Sequence, residues 1–241
     1  MNRRRAAAAI LATMEDGAGS TARPGPDPRY LAGFRLRIFE AARLLGGDPP
    51  ALLGPQASGY AWHRWAATAR FAVRRSLYQP RPLPAGAFEA VIGAAVLDPD
   101  VSLNRMLLEP ALAIAGTTRV QRTLLAKLAE GTDPERAGAA NAWYWSHLPL
   151  PVEKFEAWPP APEPNAGVRA QLHRQWQEQA LHAFVATTDM RVRRCLLPGL
   201  ALRPDAVPPH LRGVAEQVLR IARGHPDAYL RHQVEAQLRT G

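Results

Sequence analysis

"RVRRCLLPGL", residues Arg191–Leu200, has an echo far upstream in "FAVRRSLYQP", residues Phe71–Pro80. Both read Val-Arg-Arg-x-Leu. An aliphatic residue followed by a polar one, with another aliphatic four positions on, puts both aliphatics on one side of a helix and the polar residue beside them. The same arrangement occurs at Leu103-Asn104…Leu107 and Leu230-Arg231…Val234, with a degenerate member at Arg136-Ala137…Ala140. The members recur at intervals of roughly 30–40 residues once a proline-rich insertion is set aside, a spacing that fits two helices per unit.

Working outward, helix-period segments alternate with short Asp, Gly and Pro breaks. Helices are expected near 29–45, 60–79, 85–97, 101–115, 117–130, 134–147, 167–187, 190–202, 209–223 and 226–239. No segment shows sustained strand alternation. "GGDPP" at 46–50 stops the first helix with glycines and forbids its continuation with prolines. "LDPDV", "GTDPER", "TTDMRV" and "GHPDAY" each bring an aspartate to a helix start, where its carboxylate caps free amides. Pro198 is expected to end or kink the helix of the opening stretch. "GAGSTARPGPDP" at Gly17–Pro28 reads as a linker. "WPPAPEP" at Trp158–Pro164 is too proline-rich for helix and reads as an extended connector in a loop of about 149–166.

The pattern Asp-x-x-Val-Arg-x-x-x-x-x-x-Leu, as in "DMRVRRCLLPGL" and "HPDAYLRHQVEAQL", resembles the second helix of HEAT and HEAT-like repeats. The resemblance covers most of 60–239. It implies an all-α chain folded as a right-handed α-solenoid of about five HEAT-like helix pairs. The domain plan is then a flexible basic N-terminal segment over 1–28 and a HEAT-like domain over 29–241, with the Pro-rich insertion near 149–166. The first unit departs from the pattern: Arg70 stands where an aspartate would precede Val73-Arg74.

Composition narrows the function classes. The chain has 241 residues, 47% of them apolar and 21% charged, which is the balance of a packed globular protein. Its formal net charge is +9. That suits an acidic partner. The single cysteine, Cys195, cannot form an internal disulfide. It lies on the apolar side of its segment beside Leu196, which reads as inert burial. "MNRRRAAAAILATMEDGAG" at the start superficially resembles a signal peptide, yet its apolar run, Ala6–Ala12, is short and mostly alanine. No run approaches the ~18 apolar residues of a membrane span. The expectation is a soluble, cytoplasmic protein with no membrane role.

No catalytic or metal signature emerges, and no cofactor is expected. His173 and His182 fall on opposite helix faces, and Glu178 with His182 is a common surface pair. Gly46-Gly47 is a helix stop rather than a phosphate loop. No Ser, His and Asp show a recognisable nucleophile spacing.

Three groups of residues remain as binding candidates. Between Asp48 and Glu89 no acidic residue occurs, and Arg64, Arg70, Arg74, Arg75 and Arg81 interleave with Tyr60, Trp62, Trp65, Phe71 and Tyr78. Arginine with aromatics is the composition of a phosphate- or base-contacting surface. The same residues also fit a core stripe of Trp62, Trp65, Ala69 and Val73 with solvated arginines beside it. In "NAWYWSHLP", residues Asn141–Pro149, the residues Trp143, Tyr144, Trp145 and His147 gather at a helix end before the long loop. They read as a pocket with the insertion as its lid, or as packing between helices. Trp143 and Trp145 cannot share one helical face. Lastly, the HEAT-like resemblance implies that Arg193 and Arg231 tie neighbouring repeats, which leaves Arg194 and Arg75 to face solvent or a ligand.

The leading expectation is a non-enzymatic interaction module that holds a protein or peptide on a concave surface. The alternative is a basic nucleic-acid-binding protein. The alkylpurine DNA glycosylases of the HEAT-like class are similar in length and charge. None of the six tryptophans carries Asp or Glu four positions on, so their active-site pairing is not matched here.

Overall fold

The computed structural model describes residues 28–53, 59–79, 82–147 and 166–239. Ten α-helices and two short 3-10 turns make up the regular structure of these residues, and no strand occurs among them. The helices are α1 Pro28–Leu44, α2 Gly59–Leu77, α3 Ala87–Leu97, α4 Arg105–Ala115, α5 Thr117–Glu130, α6 Asp133–Trp145, α7 Ala166–Ala186, α8 Met190–Leu196, α9 Arg212–Arg223 and α10 Ala228–Arg239. The expected N-terminal segment and nearly all of the Pro-rich insertion lie outside the described residues.

The chain divides into two units, and the division falls after Trp176, within α7. In the first, α3 is the centre. Its sequence AFEAVIGAAVL is apolar all round, and every residue except Glu89 is buried. A helix without a polar face must be covered on all sides, and α1, α4 and α6 pack around this one. Small residues let them close in. A Cβ on Gly138 of α6 would lie 1.6 Å from the Val96 carbonyl oxygen, so the two backbones touch where only glycine fits. α1 also packs on α2, α2 on α4, and α5 on both α4 and α6.

Local chemistry sets the helix ends. Thr132 and Glu135 form a reciprocal capping box at the start of α6. Gly116, with φ 80°, turns the chain between α4 and α5. The helix expected from 101 begins instead at Arg105, because Asp100 gathers the Ser102 amide and hydroxyl into a turn at 3.0 and 2.6 Å.

The second unit contains the end of α7 with α8, α9 and α10. Asp189 caps α8, accepting from the Arg191 and Val192 amides at 2.8 and 3.1 Å. Asp227 does the same for α10 through the Leu230 amide, at 3.1 Å. The helix expected over 190–202 stops at Leu196 and runs into a 3-10 turn, Leu197–Gly199, which contains Pro198. Proline has no amide to continue the α ladder. Gln177 fastens this turn by donating to the Gly199 carbonyl at 2.7 Å and accepting from the Ala201 amide at 2.9 Å.

Candidate interaction surface on α2

α2, GYAWHRWAATARFAVRRSL, carries four arginines and no carboxylate. Its inner stripe is Trp62, Trp65, Ala66, Ala69, Val73 and Leu77, all buried. Trp65 anchors it. Its ring stacks on Trp62 at 4.8 Å and on Phe39 at 5.9 Å, and its indole N–H donates to the Ala51 carbonyl at 3.0 Å. The core stripe foreseen for Trp62, Trp65, Ala69 and Val73 therefore lies where the spacing puts it.

The arginines of α2 fall into two classes, and two of the four candidates are corrected. Arg70 is 2% exposed. Its guanidinium grips Asp98 with two hydrogen bonds, Nε to Oδ2 at 2.6 Å and Nη2 to Oδ1 at 2.5 Å, and lies 5.3 Å from the Phe34 ring centroid. Burial pushes the Asp98 carboxyl above its usual range, while the Arg70 hydrogen bonds and charge pull the other way. A side chain so enclosed is not available to a ligand. Arg74 is a staple between helices. Pro110 lies within α4 and has no amide, so the Met106 carbonyl loses its usual helical partner. Arg74 Nη1 donates to that carbonyl at 3.4 Å, and Nη2 pairs with Glu109 at 3.0 Å and with the Tyr78 hydroxyl at 2.7 Å.

Arg64 and Arg75 are exposed, as foreseen for a surface role. They share the outer face of α2 with Tyr60, 77% exposed, and Phe71, 62% exposed. Tyr60, Arg64, Ala67, Phe71 and Arg75 follow one another at helical spacings of four, three, four and four. The unit "aromatic, then arginine four on" thus occurs twice, eleven residues apart, with only about 20° of rotation between the copies. Aromatics exposed to this degree bury little of their surface in the fold. No family model, curated protein or solved structure matches the chain. The chemistry of the face itself therefore has to carry the functional argument.

Tyr60 and Phe71 enter the sequence reading only as aromatics interleaved with the basic window. The signal that separates them from Trp62 and Trp65 is register. Trp62 and Trp65 fall in phase with Ala69 and Val73, whereas Tyr60 and Phe71 fall in phase with Arg64 and Arg75.

The aromatic cluster at the end of α6 is a packed knot. Trp143 is buried and lies parallel on Trp176, with centroids 4.1 Å apart and planes 3° apart. His147 Nδ1 donates to the Trp143 carbonyl at 2.8 Å, and the Gln121 side chain reaches both Ser146 Oγ at 3.2 Å and His147 Nε2 at 3.4 Å. Trp145 points elsewhere, as its spacing requires: its indole donates to the Val101 carbonyl at 3.2 Å and Arg105 lies over the ring. Tyr144 meets Trp145 edge-on, and burial raises its phenol pKa. Trp143 and Trp145 thus serve packing on two different sides. The lid foreseen for this cluster lies outside the described residues.

In the second unit both arginines of the opening stretch make contacts within the fold. Arg194, expected to face solvent or a ligand, is exposed, yet it pairs with Asp227 at the start of α10 and lies 5.6 Å from the Tyr229 ring centroid. Arg193 turns back toward the Phe184 carbonyl, at 3.4 Å. Arg231 donates to the His225 and Pro226 carbonyls at 2.6 and 2.8 Å. Asp227 feels desolvation most, but the Arg194 and Leu230 hydrogen bonds outweigh it and hold its carboxyl below the usual range. Burial pushes the Tyr229 phenol up to about 12. Cys195 is half-buried. Among the described residues no group of three or more His, Cys, Asp or Glu side chains is placed to hold a metal ion. No described helix is long and apolar enough to cross a membrane.

Proposed function

We propose that this chain is a non-enzymatic, HEAT-like helical-repeat protein that binds a protein or peptide partner, with the outer face of α2 as its contact surface. The observation that carries the reading is the exposure of Tyr60 and Phe71 in register with Arg64 and Arg75. Tyr, Phe and Arg are the residue types enriched at protein contact surfaces, where few anchors supply most of the binding energy. The solenoid part of the proposal rests on stacking in the first four helices. α1 packs with α2 and α3 with α4, while α1 also lies on α3 and α2 on α4. Two layers of stacked helix pairs would make these contacts, which supports the reading.

The acid-free basic window supports a nucleic-acid reading less than its composition implies. Asp98 and Glu109 neutralise Arg70 and Arg74 within the fold. Two arginines are left on the face, whereas phosphate-driven binding draws on many such contacts.

The test is selection from a displayed peptide library against the full chain, followed by binding of the selected peptides to a Tyr60→Ala/Phe71→Ala variant. The expected outcome is a loss of about 30-fold in affinity, the effect of one ~2 kcal/mol anchor, with an unchanged melting temperature. Selected peptides that bind the variant as tightly as the parent would remove α2 from the proposal.

A further inference from the structure

We infer that the occupant of the α2 outer face is an acidic amphipathic helix, laid along α2 with aliphatic side chains over Tyr60, Ala67 and Phe71 and carboxylates on Arg64 and Arg75. This rests on the reading of that face as the contact surface and specifies the partner's chemistry.

The seam argues for a helix. Tyr60, Arg64, Ala67 and Phe71 alternate spacings of four and three residues, which is the spacing that keeps one helix in contact with another along its length. Tyr60 and Phe71 stand about 16 Å apart along the axis, at ~1.5 Å per residue. Half-buried Ala67 lies between them as the small position. Two large knobs with a small residue between them leave a hollow that takes an aliphatic side chain from a facing helix.

Charge argues for acid. α2 bears no carboxylate. Asp98 and Glu109 answer Arg70 and Arg74 on the inner side, so the uncompensated charge of the helix is the outward Arg64 and Arg75. Each follows an exposed aromatic by four residues, and the two are themselves eleven residues apart. A facing helix meets this pattern with two aliphatic-carboxylate units at the same eleven-residue separation. Opposite charges at the rim would fix register and exclude basic partners. A single-stranded nucleic acid fits less well, because successive bases stack on closely spaced platforms and these aromatics lie about 16 Å apart.

The experiment uses fluorescence anisotropy on the full chain with a labelled, alanine-rich helical peptide carrying two Leu-x-x-x-Glu units eleven residues apart. Three probes accompany it: the same peptide with Gln for both Glu, the same peptide with the units nine apart and hence on opposite faces, and an oligothymidylate. The expected result at about 50 mM salt is binding of the acidic peptide, weakened about tenfold by Gln and lost at the nine-residue spacing. An Arg64→Glu/Arg75→Glu variant with the parent's melting temperature should reject the acidic peptide and accept its Lys-for-Glu counterpart. No binding of the acidic peptide, equal binding of the Gln peptide, or tighter arginine-dependent binding of the oligothymidylate would each overturn the inference. Library peptides that need Tyr60 and Phe71 but carry no acid would sink this inference alone and leave the contact surface standing. If no selected peptide depended on the face, the proposed function would fail with it.

Discussion

Arg70 and Asp98 close a bidentate ion pair in the interior of the first unit, with side chains 3% and 0% exposed. Asp98 follows the last residue of α3, and Arg70 lies midway along α2. The pair therefore ties the C-terminal end of the central helix to α2, and the Asp98 carboxylate also accepts from the Asp100 amide at 2.9 Å. Such a pair offsets the cost of burying two charges only while both partners remain. Asp98→Ala should lower unfolding stability by about 3–5 kcal/mol in a urea titration, because it strands a buried guanidinium. Arg70→Met combined with Asp98→Leu should recover most of that loss. A double variant as unstable as the single one would show that packing, and not the stranded charge, sets the cost.

Gly138 offers a second test of the same core. Alanine at this position places a Cβ 1.6 Å from the Val96 carbonyl oxygen, and backbone on both sides leaves nothing flexible to yield. Gly138→Ala should destabilise the protein by at least about 1–3 kcal/mol, despite alanine's better helix propensity. Gly213→Ala is the control: nothing lies within 4 Å of its added Cβ, so its melting temperature should hold or rise. Equal effects at the two glycines would contradict the α3–α6 contact.

What the sequence made legible was local. Helix starts at Asp189 and Asp227, the stop at Pro198 and the inner stripe of α2 follow from caps, missing amides and periodicity, which act within a few residues. What it concealed was pairing at a distance. Nothing near Arg70 announces Asp98, and nothing near Arg74 announces a carbonyl freed by Pro110. Both arginines therefore read as surface charge until the helices are packed. The central role of α3 was available in principle, since "AFEAVIGAAV" has no polar face to turn to water. The choice between Arg193 and Arg194 was not, because it depends on where α10 begins relative to α8.

Acid should weaken the second unit through Asp227. Its folded carboxyl lies below the 3.8 of the unfolded chain: desolvation raises it, and the Arg194 and Leu230 hydrogen bonds more than reverse that. A carboxyl depressed on folding contributes stability above its unfolded pKa, and that contribution is lost as pH falls through 3.8 toward the folded value. Asp227→Asn should therefore flatten the acid limb of the stability profile below about pH 4, and Asp227→Ala should cost about 0.5–2 kcal/mol at neutral pH as a lost cap. An acid limb unchanged in Asp227→Asn, measured by urea unfolding at a series of pH values, would assign the acid sensitivity to other carboxylates of that unit such as Glu235, which Arg223 holds below its usual range.

The two faces of α2 should respond oppositely to truncation. Trp65 is 4% exposed, within a cluster formed with Phe34, Phe39 and Trp62, so Trp65→Ala should cost about 3–5 kcal/mol. Tyr60 and Phe71 are mostly in water, so Tyr60→Ala and Phe71→Ala should each change stability by less than about 0.5 kcal/mol. Aromatic side chains that add nothing to the fold still carry an aggregation cost when exposed, so truncating them should make the free protein more soluble at unchanged stability. Chemical unfolding alongside light scattering reads both quantities in one set of variants. Destabilisation by Phe71→Ala comparable to that of Trp65→Ala would mean that the outer face belongs to the core, and the binding proposal would lose its surface.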